Sequence, residues 1–456
     1  MVNARRIVSA AKAGLTLGVC LLGLASSTRA ISTSDKPAAI LVWPKIVVDT
    51  SALIETRPTD TIIQLGNALH NAGLKQAHCF YVNANSHCSE TAAEPGKVCR
   101  DASQCPLPGS VCTGGGSAGQ PCDPTNVDAC PGGACTALGH ANCVAGWSEV
   151  DFEVLVTHDQ PLAWKASAGL KRGDFPINDA GVCVGGSSPG RSCDPRNSVP
   201  TCGTGTCQAL DSNAGSGIPP VAEDPFIGTL KCIQYDPKSN PPAPDQGQTS
   251  PANPNELIGT ASIEACSSID CDGGAVDVER YNATGVQFKA ADNSHPGEVH
   301  LDGVQYQACP STLILDNIFD NAPDPLSADP NPATVITDLT LVPCGDDFLR
   351  QDPGNATAQF LVFNEFEQRL STSRSVDCFF ERQLSLIDTS TSLRSIFSFT
   401  VQGTLVGQTR IRGVGSAPTG HGLLGVARAS IGGVSGVAYN LQQGFGNSGT
   451  DIITIP

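Results

Sequence analysis

At 456 residues the chain has room for two domains with cores of ordinary size, and 20 of its residues are Cys. A net charge of −17 opposes nucleic acid and anionic lipid surfaces as partners. The acids are scattered among apolar runs rather than blocked together, which excludes a disordered acidic chain.

Residues 1–30 carry Arg5, Arg6 and Lys12, then an apolar run over 14–25, then the small-residue end Ser26-Ser27-Thr28-Arg29-Ala30. A basic start, an apolar middle too short for a stable span and a small-residue end describe a secretory signal, with cleavage expected after Ala30. Cys20 follows bulky Val19 in the middle of the apolar run, which argues against a lipid anchor. Four basic residues and no acid lie in this segment, so its removal takes the net charge from −17 to −21. No later stretch is apolar for long enough to cross a membrane as a helix, and no membrane insertion is expected after cleavage. The expected destination is the periplasm, the cell surface or the medium. There the remaining 19 Cys should be mostly oxidised, with at least one left unpaired or intermolecular by the odd count.

The segment 38–49, AAILVWPKIVVD, reads as a strand at a sheet edge because Pro44 cannot donate to a ladder. Residues 61–67 and 76–82 form a hairpin pattern. A Cys-rich insertion follows at about 88–143, then a strand at 148–157 with Phe152, Val154 and Val156 on one face, and Trp164 as a core anchor. A second insertion spans about 181–210. The two share a repeat: VCTGGGSAGQPCDPTNVDACPGGACTAL from Val111 matches VCVGGSSPGRSCDPRNSVPTCGTGTCQAL from Val182. Cys112, Cys122, Cys130 and Cys135 thereby align with Cys183, Cys193, Cys202 and Cys207, and Cys99, Cys105 and Cys112 make a partial copy before the first. These segments are rich in Gly, Pro, Asn and Asp and cannot bury a core, so disulfides must hold them, at about 2–4 kcal/mol per bridge. Cys-x-x-Cys occurs nowhere, so zinc ribbons, thioredoxin-like pairs and haem attachment lack their spacing. Cys266 and Cys271 read as a small local disulfide loop.

Strands at 224–235 and 256–264 flank a Pro/Asn/Gln-rich loop at 236–255. A second domain is expected from about Leu301. The runs 312–315 and 335–342 read as an antiparallel hairpin, which places Cys309 opposite Cys344 and predicts their disulfide. Residues 359–370 read as one strand, with Phe360, Val362, Phe366 and Leu370 on its core face. Further strands are expected at 395–402, 408–414, 422–427, 436–441 and 451–455. Short strands with Gly-rich turns predict an all-β fold: two antiparallel immunoglobulin-like β-sandwich domains, 38–300 and 301–456, the first carrying both stapled insertions.

The phrases AHCFYVNANSHC, GIPPVAEDPFIGTLKC, TDLTLVPCGDDF, FLVFNEFEQRLSTSRSVDCF and GQTRIRGV followed by GHGLLGVA resemble a group of exported bacterial β-rich proteins of uncharacterised activity. The Cys/Gly insertions resemble short repeats scattered through secreted proteins of environmental bacteria. The resemblance implies export and β structure and brings no activity with it.

Candidate chemistry is sparse. Gly-x-Ser-x-Gly occurs at 115–119 and 186–190, but at equivalent repeat positions inside the stapled loops rather than between a strand and a helix. Residues 444–449 match a dinucleotide fingerprint without opening a helix. Glu365 and Glu367, two apart on one strand, would point the same way about 6.5–7 Å apart, a geometry open to glycoside hydrolysis, although Arg369 continues the same charged face. Asp316, Asp320 and Asp324, with Asp346 and Asp347, offer oxygen to calcium in no defined loop spacing, which favours solvated turns. The pairs His78-Cys79 and His87-Cys88 suit a soft metal only if reduced, and export favours disulfides. Arg410 and Arg412 alternate on one strand, facing solvent or acids. No metal and no cofactor is called for. The reading is a secreted structural or interaction module contacting a protein or glycan, with a polysaccharide-acting glycoside hydrolase using Glu365 and Glu367 as the alternative.

Overall fold

The computed structural model describes residues 36–456 apart from 69–74, 100–101, 106, 108, 123–129, 138, 157–160, 171–180, 188, 190–191, 194–201, 210–216, 237–242, 245–254, 268–273, 292–294, 296, 389–390, 416–420, 433, 445 and 447–448. The signal at 1–30 and most of the loop at 236–255 therefore lie outside the described residues. The described residues are nearly all β, in sheets that are antiparallel apart from the short parallel pairing of Asp346–Asp347 with Asp451–Thr454.

In the N-terminal half, one sheet runs Thr284–Val286, Ile40–Val48, Phe226–Asp236, Lys75–Asn83, Ser148–Val156, and a second runs Pro161–Lys165, Thr59–Asn67, Leu257–Cys266, Ala275–Asn282. They face one another across a core that takes Trp43, Tyr81, Phe226 and Leu230 from the first and Ile63, Leu65, Trp164 and Ile263 from the second. The indole N–H of Trp164 donates to the Tyr81 hydroxyl at 2.7 Å, so these two large side chains satisfy each other's polar tips.

The C-terminal half repeats the plan. Arg369–Asp377, Asn355–Asn364, Val406–Val414, Leu313–Ile318 and Gln442–Gln443 form one sheet, and Phe380–Gln383, Val335–Pro343, Leu423–Ile431 and Val434–Asn440 the other. Leu313, Leu315, Phe360, Val362 and Ile411 meet Leu339, Leu341, Phe380 and Leu423 between them.

A third core lies between the halves. Strand alternation turns Ile40, Val42, Phe80, Val82 and Ile233 away from the first core, and Val342 and Leu424 away from the second. Val299, Leu301, Tyr306, Phe348 and Ile453 fill the space that remains. The rings of Phe80 and Phe348 stack with centroids 4.1 Å apart. The expected boundary near Leu301 thus falls in packed structure, within the small sheet where Glu298–Leu301 pairs with Asp451–Thr454.

Five local expectations are corrected. Residues 61–67 and 76–82 are not a hairpin, because Thr59–Asn67 pairs with Pro161–Lys165 and Leu257–Cys266 in one sheet, and Lys75–Asn83 with Phe226–Asp236 and Ser148–Val156 in the facing one. Ile40–Val48 is an interior strand, buried at all nine residues. It accommodates Pro44 through a bulge, since the register to Phe226–Asp236 shifts between Trp43 and Ile46 and the pairing to Thr284–Val286 ends at Val42. The bulge takes the Lys45 backbone out of the ladder, and the Tyr281 hydroxyl bonds both its N–H and its C=O. The runs 312–315 and 335–342 are not a hairpin, because Leu313–Ile318 pairs with Val406–Val414, and Val335–Pro343 with Phe380–Gln383 and Leu423–Ile431, in opposing sheets. Residues 395–402 are not a strand: Asp388 engages the Ser395 hydroxyl and the Ile396 N–H, and a helical turn, Phe399–Gln402, ends at Gly403 with φ 67°. Finally, the strand expected at 359–370 ends at Asn364, as described below.

Candidate functional sites

Both Cys-rich insertions leave the body through narrow necks. Asn83 and Ser148 are directly paired across adjacent strands, so residues 84–147 replace what would otherwise be a hairpin turn. Leu170 and Ile218 exchange two backbone hydrogen bonds of 2.9 Å below the second insertion. Gly169 beside this neck has φ +64°, and a Cβ there would lie 2.1 Å from the Ile218 carbonyl oxygen, so the close approach requires Gly.

At the first neck, Glu223 accepts hydrogen bonds from the side-chain amides of Asn83 at 2.6 Å and Asn85 at 2.7 Å, and its two oxygens lie 3.0 Å from His87 Nε2. Burial alone would raise its pKa, yet the hydrogen bonds from Asn83, Asn85 and His87 hold the carboxyl below its ordinary range.

The first lobe is built by Cys88–Cys105, Cys99–Cys143, Cys112–Cys130 and Cys122–Cys135. In the second, Cys183–Cys202 repeats the Cys112–Cys130 bridge with the same Cα separation of 5.3 Å. Cys207 is also disulfide-bonded, while the Cys193 side chain lies outside the described residues. Of the expected local pair, Cys266 is disulfide-bonded and Cys271 lies outside the described residues. Cys309–Cys344 forms with Cα atoms 6.5 Å apart, although it ties the approaches to two opposing sheets rather than the open end of a hairpin. His78-Cys79 and His87-Cys88 hold no thiols, since Cys79 bonds Cys232 and Cys88 bonds Cys105. Cys79–Cys232 crosses two neighbouring strands in the first core, a pairing that needs knowledge of which strands are adjacent. The free cysteine among the described residues is Cys378, buried in the third core, where burial pushes its thiol pKa up.

The first Gly-x-Ser-x-Gly match serves the backbone. Gly114 and Gly115 both have positive φ, and a Cβ on Gly115 would sit 2.2 Å from the Pro131 carbonyl oxygen. Gly185 and Gly186 repeat the pattern against Gly205. These turns let the two arms of each lobe touch through glycine; the first match forms no strand-to-helix elbow, and Ser188 and Gly190 of the second lie outside the described residues.

Glu365 and Glu367 do not share a strand. Asn364 Oδ1 accepts from the N–H groups of Phe366 and Gln368, both at 3.0 Å, and its amide donates to Gln368 Oε1 at 2.9 Å. This side-chain capture ends Asn355–Asn364 and starts the turn into Arg369–Asp377. Glu367 takes φ 59° in the turn, and Phe366, expected in the core, is 70% exposed. Glu365 accepts from the Leu405 N–H at 3.2 Å and lines an open hollow of about 450 Å³ with Asp316, Phe363 and Gln408. Arg410 and Arg412 are both exposed, and the Arg410 guanidinium lies 5.1 Å from the Phe363 ring centroid.

The five Asp residues are dispersed among separate partners. Asp320 is fully buried, accepting from the N–H groups of Thr337 and Ser385, both at 2.8 Å, and burial pushes its pKa up to about 6 against those bonds. Asp346 is buried on Lys231, Asp347 binds Arg350, Asp324 closes a turn with the Leu326 N–H, and Asp316 accepts from Gln408. Asp320 and Asp346 are therefore structural acceptors inside the fold rather than the solvated turn residues expected.

No protein-family model matches the chain, and no curated protein matches it.

Charged side chains inside the join escaped the sequence reading. Lys231 directs its ammonium to the carbonyls of Pro343 at 3.0 Å and Cys344 at 3.1 Å and to Asp346, which uses all three of its protons. Lys45 meets Glu381 at 2.7 Å, and Arg428 meets Glu279 at 2.6 Å. In a sequence, Lys231 between Leu230 and Cys232 is the available signal: a cation in the middle of an apolar strand needs a buried partner.

Proposed function

We propose that this is an exported structural or interaction module, secreted or held at the cell surface, whose fused sandwiches carry disulfide-stapled lobes outward to contact a protein or glycan. The observation that carries this reading is the construction of the first lobe: the Cys88–Cys105 and Cys112–Cys130 bridges are buried, the residues around them are mostly exposed, and it leaves the body through a neck braced by Glu223. A rigid scaffold presenting pinned loops suits recognition. The disulfides fit an oxidising compartment, and no helix among the described residues is long and apolar enough to cross a membrane. The repeat shared by 111–138 and 182–210 supports two copies of one displayed unit.

The hydrolase alternative is less favoured, because a turn carries Glu365 and Glu367 and only the first of them lines the adjacent hollow. The test is a glycan and peptide array probed with the full chain and with a variant in which residues 88–143 are replaced by a short turn. Loss of a reproducible signal with an unchanged melting profile of the body supports display. Retained binding, or polysaccharide cleavage abolished by Glu365→Gln, refutes it.

A further inference from the structure

Beyond the lobes, the turn and strand at 295–300 bring together three side chains of metal-binding type. We propose that His295, Glu298 and His300 form a binding site for a divalent transition-metal ion of the zinc class. One ligand atom from each of the three lies within 4.8 Å of the other two. Two imidazoles and a carboxylate are the donor set that borderline cations prefer, whereas calcium and magnesium take oxygen.

The backbone holds the set in place. Glu298 and His300 are two apart on the strand Glu298–Leu301, so they share one face, while Val299 and Leu301 on the other are buried in the third core. The Glu298 N–H donates to the His295 carbonyl at 3.2 Å, and Gly297 has φ 83°, which closes a turn that carries His295 back over the strand. The Ile455 N–H fastens that turn by donating to the Gly297 carbonyl at 2.9 Å. At the far end the His300 N–H donates to Gln305 Oε1 at 2.7 Å, and Gln305 is buried. A site whose supports are already made loses little freedom on binding.

A hydrogen bond already joins two of the three ligands. His300 Nε2 and Glu298 Oε2 are 2.7 Å apart, sharing a hydrogen, and the His295 and His300 rings stack with centroids 4.6 Å apart. Bonds of about 2.0–2.1 Å to a tetrahedral ion place neighbouring ligand atoms roughly 3.3 Å apart. An ion replacing the hydrogen would spread the first pair by about half an ångström and draw His295 inward by side-chain rotation. His295 is exposed, so the set can be reached by an ion from solvent. The other Cys-containing groupings of this kind are disulfides and have no thiolate to offer.

The test is calorimetric titration of the chelator-treated full chain with zinc chloride, and separately with calcium chloride. One equivalent of zinc should bind saturably and raise the melting temperature. Losing even an outer-shell partner of a metal weakens binding by about tenfold or more. His295→Asn and His300→Asn should therefore each lower the affinity by at least that factor, and His140→Asn, in the first lobe, should leave it unchanged. His295 stands on an exposed turn, so His295→Asn keeps the test decisive should His300→Asn disturb folding. Absence of saturable zinc binding, affinity indifferent to both substitutions, or calcium bound more tightly than zinc would overturn the proposal.

Discussion

Lys231 of the N-terminal half and Asp346 of the C-terminal half form an ion pair with 1% and 5% of their side chains exposed, inside the apolar layer that joins the two sandwiches. An ammonium at such depth persists because its three protons reach three acceptors, all from the opposite half.

Removing one partner should leave the other charge stranded. Lys231→Met is expected to lower stability by about 3–5 kcal/mol. The double variant Lys231→Met/Asp346→Asn keeps an acceptor for the Gly354 N–H and should lose less than the single one. Chemical denaturation of the three chains decides the matter, and equal losses in single and double variants would contradict the account.

Glu149, at the rim of this layer, supplies a pH dependence. Burial first, then the charges of Asp151 and Asp346, push its carboxyl from an ordinary 4.5 up to about 7. The folded protein holds this proton more tightly than the unfolded one, so the contribution is fully present below about pH 4.5 and is lost as pH rises through about 7. Because Glu149 is partly exposed, Glu149→Gln should raise stability at pH 8 by only about 1–2 kcal/mol and change little at pH 4.5. Thermal unfolding at the two pH values measures the difference.

The repeat and the bridges already assigned fix what peptide mapping should find. Cys193 should pair with Cys207, as Cys122 pairs with Cys135, and Cys266 with Cys271. Cys378 should resist alkylation in the native state and react on unfolding, since its thiol is buried and its pKa raised. Non-reducing mass spectrometry checks all three, and a Cys378 adduct formed under native conditions would contradict the third.

Glu367 occupies left-handed backbone at φ 59°, where glycine fits without a steric cost. Glu367→Gly should therefore stabilise the turn by about 0.5–1 kcal/mol. Asn364→Ala, which removes the acceptor of the Phe366 and Gln368 N–H groups, should cost about 1–2 kcal/mol. Melting curves of both variants would show opposite shifts.

What the sequence made legible was periodicity and covalent logic. Alternating apolar residues located most strands, and the Cys repeat pointed to segments that four described bridges hold in the first lobe. What it hid depended on long-range pairing. Cys309–Cys344 was found through a hairpin that does not exist, because proximity of two strand ends does not reveal which sheet each belongs to. Pro44 signalled an edge, yet a bulge and the Tyr281 hydroxyl let it lie inside. Phe366 kept the strand's alternation in the sequence while Asn364 had already turned the chain. The histidines at 295 and 300 drew no notice, since their spacing with Glu298 spans a turn and a strand and matches no familiar ligand pattern.

The paired backbone at Asn83/Ser148 and at Leu170/Ile218 separates two regimes of constraint within one chain. Below each neck, inserting a single residue would flip a strand's inward and outward side chains. Above it, length and wording are free so long as the sulfurs still find each other and the glycines that let the arms touch are kept. Descendants of this protein can thus trade one cassette for another without renegotiating the architecture that carries them.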